Sequence, residues 1–253
     1  MKNHLTIVTG SSRGLGAALV AQLINQPGHS VLGIARQQNA KLQAQADATG
    51  ATLSQWPADQ GEPAAVAQNL AAWLTGFDPT TLASVTLINN AGVTGSLGNL
   101  EAVPLADISQ ALRVGLEAAM LLTATFLHAT RDWPAQRRVL NISSGLGRSA
   151  MAGSAVYCAA KAGMDHFSRA VALEQAAAPH PALISSMAPG VIDTDMQAAL
   201  RASDPVKFPA RERFVAMQTS GALVSPEACA QALLERLNRA DFGQAAITDI
   251  REG

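Results

Sequence analysis

The stretch Leu5-Thr6-Ile7-Val8-Thr9-Gly10-Ser11-Ser12-Arg13-Gly14-Leu15-Gly16 runs from an apolar strand directly into a glycine-rich turn and the start of a helix. Glycine permits the tight turn, and uncovered backbone N–H groups can approach a pyrophosphate whose charge suits a helix N-terminus. A Gly-x-x-x-Gly-x-Gly pattern also occurs in surface turns, so the rest of the chain has to decide between the two readings. Beyond it, short runs rich in Val, Ile and Leu alternate with Ala-rich helical segments, which predicts a parallel sheet with helices on both faces. Strands are expected near Leu5 to Thr9, Ser30 to Ala35, Thr52 to Trp56, Val85 to Asn89, Arg138 to Ile142, Ala182 to Met187 and Ala245 to Thr248. Helices are expected near Gly14 to Asn25, Lys41 to Thr49, Pro63 to Thr75, Leu105 to Thr130, Ser154 to Ala178 and Pro226 to Asn238, the last opened by an N-cap and proline in Ser225-Pro226-Glu227. No low-complexity linker or internal repeat interrupts this order, so residues 1–253 read as one α/β domain, a single-domain doubly wound parallel sheet. The least regular stretch, 193–221, follows the sixth strand, where such a sheet places a mobile cover over its ligand crevice.

Composition narrows the function classes. With 48% hydrophobic and 15% charged residues and a net charge of −1, the chain gives no long-range electrostatic reason to bind nucleic acid or a membrane surface. No uninterrupted apolar run approaches the roughly 20 residues that span a bilayer. Met1-Lys2-Asn3-His4 leads directly into the first strand without room for a cleavable signal, so a cytoplasmic protein is expected. Cys158 and Cys229 form no Cys-x-x-Cys or Cys/His cluster, and His128, His166 and His180 lack ligand spacing. Two free thiols and no metal site follow.

Tyr157 and Lys161 stand four residues apart in a predicted helix, which puts a phenol and an ammonium on one face. A phenol with an ordinary pKa of about 10 exchanges protons poorly at neutral pH, and a nearby cation favours its ionised form. Lowering that value by roughly two units takes about 3 kcal/mol, within reach of one partly desolvated charge. At the end of the second strand, where an acid would bond the ribose 2′-hydroxyl of NAD, Arg36 stands instead, and Arg13 lies in the glycine turn. Two guanidinium groups there suit a 2′-phosphate, which predicts NADPH over NADH.

Asn141-Ile142-Ser143-Ser144-Gly145 closes the fifth strand thirteen residues before Tyr157, Asn89-Asn90-Ala91-Gly92 follows the fourth strand, and Pro189-Gly190 follows the sixth. With the glycine turn and the Tyr157/Lys161 pair, these motifs resemble the short-chain dehydrogenase/reductase family, in order and spacing, over nearly the whole chain. The resemblance implies a Rossmann-type fold and a reaction in which Tyr157 is the general acid toward a carbonyl oxygen, Ser144 bonds that oxygen, and Lys161 tunes the phenol and holds the nicotinamide ribose. It further implies a dinucleotide site drawn from Gly10, Ser12, Arg13, Gly14, Leu15, Gly16, Arg36, Asp59, Asn89, Ala91, Gly92, Pro189, Gly190, Val191, Ile192 and Thr194, besides Tyr157 and Lys161 themselves. Thr194 would hold the carboxamide, Asp59 would meet the adenine amino group, and Asn89, Ala91 and Gly92 would surround the adenosine ribose. Members commonly complete a proton relay with an Asn in the helix after the fourth strand; here Leu112-Arg113-Val114-Gly115-Leu116-Glu117 places Gly115 there. Glycine supplies no amide but tolerates a helix irregularity.

Asn141 to Ser144, Tyr157 to Asp165, Ala188 to Gln197 and the ending Asp249-Ile250-Arg251-Glu252 are similar to the sepiapterin reductase and bacterial benzil reductase branch, which implies a vicinal diketone or aromatic ketone as substrate. Asp249 aligns loosely with the acid that anchors the pterin ring in the pterin enzymes. Substrate contacts are expected from Ser144, Leu146, Met151, Tyr157 and Met196, with Val93, Met187, Phe208 and Phe214 nearby and a mostly apolar lining. The resemblance also implies a homodimer through the helices near 105–130 and 154–178. A 3-oxoacyl carrier-protein reductase stays open through Arg201, Lys207, Arg211 and Arg213 in the cover, as does a non-catalytic NADPH-binding regulator through Gly115.

Overall fold

The computed structural model describes residues 3–252. Seven parallel strands form one sheet in the order β3-β2-β1-β4-β5-β6-β7: β1 (Asn3–Thr9), β2 (His29–Ala35), β3 (Thr52–Pro57), β4 (Leu82–Asn89), β5 (Gln136–Ile142), β6 (Leu183–Ala188) and β7 (Ile247–Asp249). The helices are α1 (Gly14–Leu23), α2 (Ala40–Thr49), α3 (Pro63–Leu74), α4 (Leu105–Leu112), α5 (Ala118–Ala129), α6 (Ala155–Ala176), α7 (Asp195–Arg201), α8 (Arg211–Thr219) and α9 (Pro226–Leu237).

Strand residues alternate between two cores because successive side chains point to opposite faces. Val8, Ile88 and Leu140 pack with α1, α2 and α9 on one side. Their neighbours Ile7, Leu87 and Val139 pack with α3, α5 and α6 on the other. Each fully buried Leu, Ile or Phe in these layers stabilises the fold by about 1.5–3 kcal/mol. Helix ends follow local chemistry: Asn39 accepts from the Lys41 and Leu42 N–H groups ahead of α2, and Ser225 caps α9 before Pro226.

β2 lies on one side of β1 and β4 on the other, so the chain reverses direction across the sheet between β1 and β4. Loops leaving the two strands splay apart there and open a crevice at their C-terminal ends. Thr9 Oγ1 ties its walls together by accepting from the N–H groups of Asn90 and Ala91, each at 3.0 Å.

Three sequence expectations change. The helix expected over Leu105 to Thr130 is interrupted by a π-helical turn, Arg113–Glu117, centred on Gly115. The resulting rod, Leu105–Ala129, is by length and composition apolar enough to cross a membrane; Asp107, Arg113 and Glu117 break its apolar run in sequence and hide that property. In the fold one side of it packs on the sheet beside α3 and α6, with 39% of the apolar span buried. The stretch expected to be irregular folds instead into α7 and α8, which close on their own small core of Leu200, Phe208 and Phe214.

Candidate active site

The glycine turn closes over β1 by backbone necessity. Gly10 has φ +67°, a conformation that L side chains rarely adopt. A Cβ on Gly16 would collide with Gly10 O and stand 2.6 Å from Asn90 Nδ2. That amide donates to Thr9 O at 2.9 Å, locking the loop after β4 to the turn. Arg13 is the N-cap of α1 and gives no side-chain cap, so the first backbone N–H groups of the helix lie free toward the crevice. Leu15 packs in the core, leaving its backbone to face the crevice, and Ser12 O accepts from Asn39 Nδ2. Arg36 is exposed beyond β2 and pairs with no carboxylate among the described residues. Arg13 bonds Asp195 at 2.9 Å, both side chains being largely exposed. Asp59 is exposed and accepts from Gly61 N. The turn, the free helix N-terminus and the open guanidinium together fit a phosphorylated dinucleotide.

Ser144, Tyr157 and Lys161 meet beside this cradle. Ser144 leaves β5 as the cap of a single 3₁₀ turn, its Oγ accepting from Leu146 N at 3.2 Å. Tyr157 and Lys161 rise from the first turns of α6, with Lys161 Nζ 5.8 Å from the centre of the phenol ring. The Ser144 hydroxyl is the phenol's side-chain hydrogen-bond partner and favours its ionised form. Burial outweighs this and holds the half-buried Tyr157 above its ordinary pKa. The net shift is therefore upward, against the expectation that Lys161 brings the phenol below its ordinary pKa. The ammonium donates to Ile142 O at 2.7 Å instead of to the phenol, and burial brings its own pKa down to about 8 against the opposing charge of Asp165.

Asn89 also departs from expectation. Its side chain is buried and donates to Thr123 Oγ1 at 3.0 Å and Asn141 Oδ1 at 2.8 Å, tying β4 to α5 and β5. Only its backbone remains to face a ribose, beside half-buried Ala91 and Gly92. A Cβ on Gly92 would stand 3.6 Å from Lys161 Nζ. After β6, Pro189 O accepts from Cys229 Sγ, and Ile192 bridges to Val224 as Val191 and Asp193 bond it on either side. The same segment brings Thr194 to the glycine turn, where a Cβ on Gly14 would stand 3.5 Å from its methyl group.

Val93, Leu146 and Met196 are half-buried, and half-buried Met151 packs against the cover core of Leu200, Phe208 and Phe214. Met187, Phe208 and Phe214 are core residues: Met187 faces the α1/α9 layer, and the two phenylalanines stack at 5.5 Å inside the cover. Sequence reasoning placed them near substrate because it could not tell which face of strand or helix they occupy. Asp249, the loosely aligned pterin anchor, is buried and already saturated. Arg251 bonds it through two nitrogens at 2.8 and 2.7 Å, and Arg148 bonds it at 3.2 Å.

A reversing parallel sheet whose crevice joins a phosphate-type turn to a serine, a tyrosine and a lysine defines an oxidoreductase of the doubly wound α/β class. The chain belongs to the short chain dehydrogenase family, whose model matches residues 4–205. It is 33% identical over 246 residues to a benzil reductase, (S)-benzoin forming, of Bacillus cereus, covering 97% of this chain and 98% of that protein. Sepiapterin reductase of Rattus norvegicus is 33% identical over 254 residues, covering 96% of this chain and 95% of that protein. A crystal structure of a short-chain dehydrogenase/reductase from Burkholderia vietnamiensis, 33% identical, superposes with a TM-score of 0.64 over 99% of this chain and 98% of that one.

Proposed function

We propose that the protein is an NADPH-dependent carbonyl reductase acting on a vicinal diketone or aromatic ketone. The observation that carries this reading is the convergence of the Ser144 and Tyr157 hydroxyls beside the glycine turn. When bound, the reduced nicotinamide supplies the hydride. Tyr157, protonated at neutral pH because burial disfavours its phenolate, donates to the carbonyl oxygen as negative charge grows there. Ser144 Oγ donates a second hydrogen bond to the same oxygen. Lys161 keeps a positive charge beneath the phenol and stabilises the phenolate left behind. Arg36 and Arg13 would hold the 2′-phosphate, for which Arg13 would leave or share Asp195.

Two features favour a diketone over a pterin. The saturated Asp249, which also accepts from Arg251 N, has no free lone pairs to anchor a guanidine-like ring edge, and the half-buried residues that flank the catalytic groups in sequence, Val93 and Leu146, are apolar. A carrier-protein substrate finds less support in the cover, where Arg201 pairs with Asp193 and Arg211 with Glu212. Loss of nicotinamide absorbance when protein and NADPH are mixed with benzil, sepiapterin and a 3-oxoacyl thioester in parallel tests the reading. Turnover is expected with benzil. Tight NADPH binding with no turnover across a wide carbonyl panel would instead identify a regulator.

A further inference from the structure

Tyr157, Lys161 and Asp165 follow one another at intervals of four along α6 and share one face of the helix. Asp165 is only 2% exposed, as buried as the lysine at 4%. Its Oδ1 accepts from Ser186 Oγ at 2.7 Å, and Ser186 is fixed in β6 by a backbone bond to Ala246 O. Its Oδ2 has no hydrogen-bond partner among the described residues. That oxygen faces Gly147, where a Cβ would stand 2.6 Å from Oδ2 and 2.9 Å from Lys161 O. Any larger residue would prevent the turn that carries Ser144 from closing on the carboxylate. A buried carboxylate with half its acceptor capacity empty is unfavourable unless an opposite charge lies nearby.

We propose that Asp165 is a positioning residue of the site, its carboxylate holding the Lys161 ammonium charged and steady beneath Tyr157. This rests on the carbonyl-reductase reading for its consequence in turnover but not for the charge coupling itself. Among the described residues Lys161 has one oxygen partner, Ile142 O, and the thioether of Met164 at 3.9 Å, so none of them in direct contact neutralises it. The other charges on the elements around α6 are committed or turned outward. Asp249 of β7 pairs with Arg148 and Arg251, Asp107 of α4 accepts from Ser96, and Arg113 and Glu117 of the π turn are exposed, as are His166 and Arg169 of α6 itself. Tyr157 is neutral at physiological pH and contributes no charge to hold the ammonium. Asp165 is left as the buried counter-charge of Lys161.

The chain has four lysines, so carbon-13 lysine signals of the cofactor-free protein can be assigned one by one, using Lys161→Met. Asp165→Asn preserves shape and the bond from Ser186, and is expected to lower the Lys161 titration midpoint by about one pH unit or more. Diketone reduction should then fall about tenfold in kcat/KM at pH 8 and far less at pH 6. Ser186→Ala removes the hydrogen bond but keeps the charge and should leave the titration in place. An unmoved Lys161 titration in Asp165→Asn overturns the proposal, as does a rate loss equal at both pH values. Carbon-13 aspartate signals of the wild type give a check that needs no variant, since a protonated Asp165 at pH 7 has no charge to offer. If the titration shifts as expected while no diketone is reduced by the wild type, the substrate reading fails and the positioning role stands.

Discussion

Tyr157 is the chain's single tyrosine, so its ionisation can be followed directly by phenolate absorbance. Burial raises its pKa, and a raised pKa keeps the proton on the phenol through neutral pH, as a proton donor requires. The phenolate band of the cofactor-free protein should therefore emerge only above about pH 10, and its appearance near pH 8 would show that Lys161 outweighs burial. Tyr157→Phe should reduce carbonyl turnover by at least about 100-fold while NADPH affinity stays largely unchanged, read by steady-state rates and nicotinamide fluorescence. Arg36→Asp should shift the NADPH-to-NADH affinity ratio by about 10- to 100-fold toward NADH, since a charge-assisted bond is replaced by repulsion. An unchanged ratio would place the 2′-phosphate elsewhere. Tyr157, Lys161, Ser144 and Arg36 were legible in sequence because side-chain chemistry and spacing within one helix or strand end are local properties. The direction of the phenol's shift was not, because burial depends on what the fold stacks above the ring. Asp165 carried a legible signal, an acid four residues after Lys161, whose meaning appears only once it proves buried and half-unbonded.

Among the elements, the glycine turn is the most tightly specified. A Cβ at Gly16 has no room beside Gly10 O and Asn90 Nδ2, so Gly16→Ala should destabilise the fold by about 1–3 kcal/mol and weaken dinucleotide binding. Chemical denaturation and cofactor titration measure the two effects. The π turn at Arg113–Glu117 coincides with Gly115, which lies against Ala160 of α6: a Cβ there would stand 3.3 Å from Ala160 Cβ. Close approach of the rod to α6 explains a glycine at this place without any role in proton supply. Sequence periodicity showed one long helix because a π turn adds a single residue and barely disturbs the apolar pattern. At the opposite end of the sheet, His4 and His29 stack at 4.7 Å across β1 and β2, a pairing invisible from sequence because it depends on parallel register. Burial and the neighbouring ring lower His29 to about 4. Between that value and the ordinary 6.5 the unfolded chain binds the extra proton, so stability present above pH 6.5 is lost as pH falls toward 4. His29→Gln should flatten this acid limb by about 2 kcal/mol after allowance for solvent screening, measured by denaturation at pH 4.5 and 7. Equal acid sensitivity in the variant would move the cause to other groups.

For the whole molecule, α4, α5 and α6 leave apolar side chains in solvent, with Leu105 82% and Leu173 75% exposed beside Met120. A homodimer covering these helices is the proposed state, and Leu105→Glu combined with Leu173→Glu should shift sedimentation from dimer to monomer. A monomeric wild type would refute it. The alternation of apolar runs with Ala-rich segments determined the doubly wound sheet, since burial of strands on both faces and helices on one imposes those patterns on local sequence. Covalent order likewise determined which loops could carry the glycine turn, Ser144 and the Tyr157/Lys161 pair. Tertiary structure alone decided which candidates face the crevice: it drew Met187, Phe208 and Phe214 into cores, saturated Asp249 with two arginines, and set Asp165 under the Ser144 turn. Those outcomes depend on contacts between residues distant in the chain, whose distances and solvent exposure are fixed only when the layers pack. Spacing along a helix is written in the sequence, whereas the dielectric around a charge comes into being with the fold.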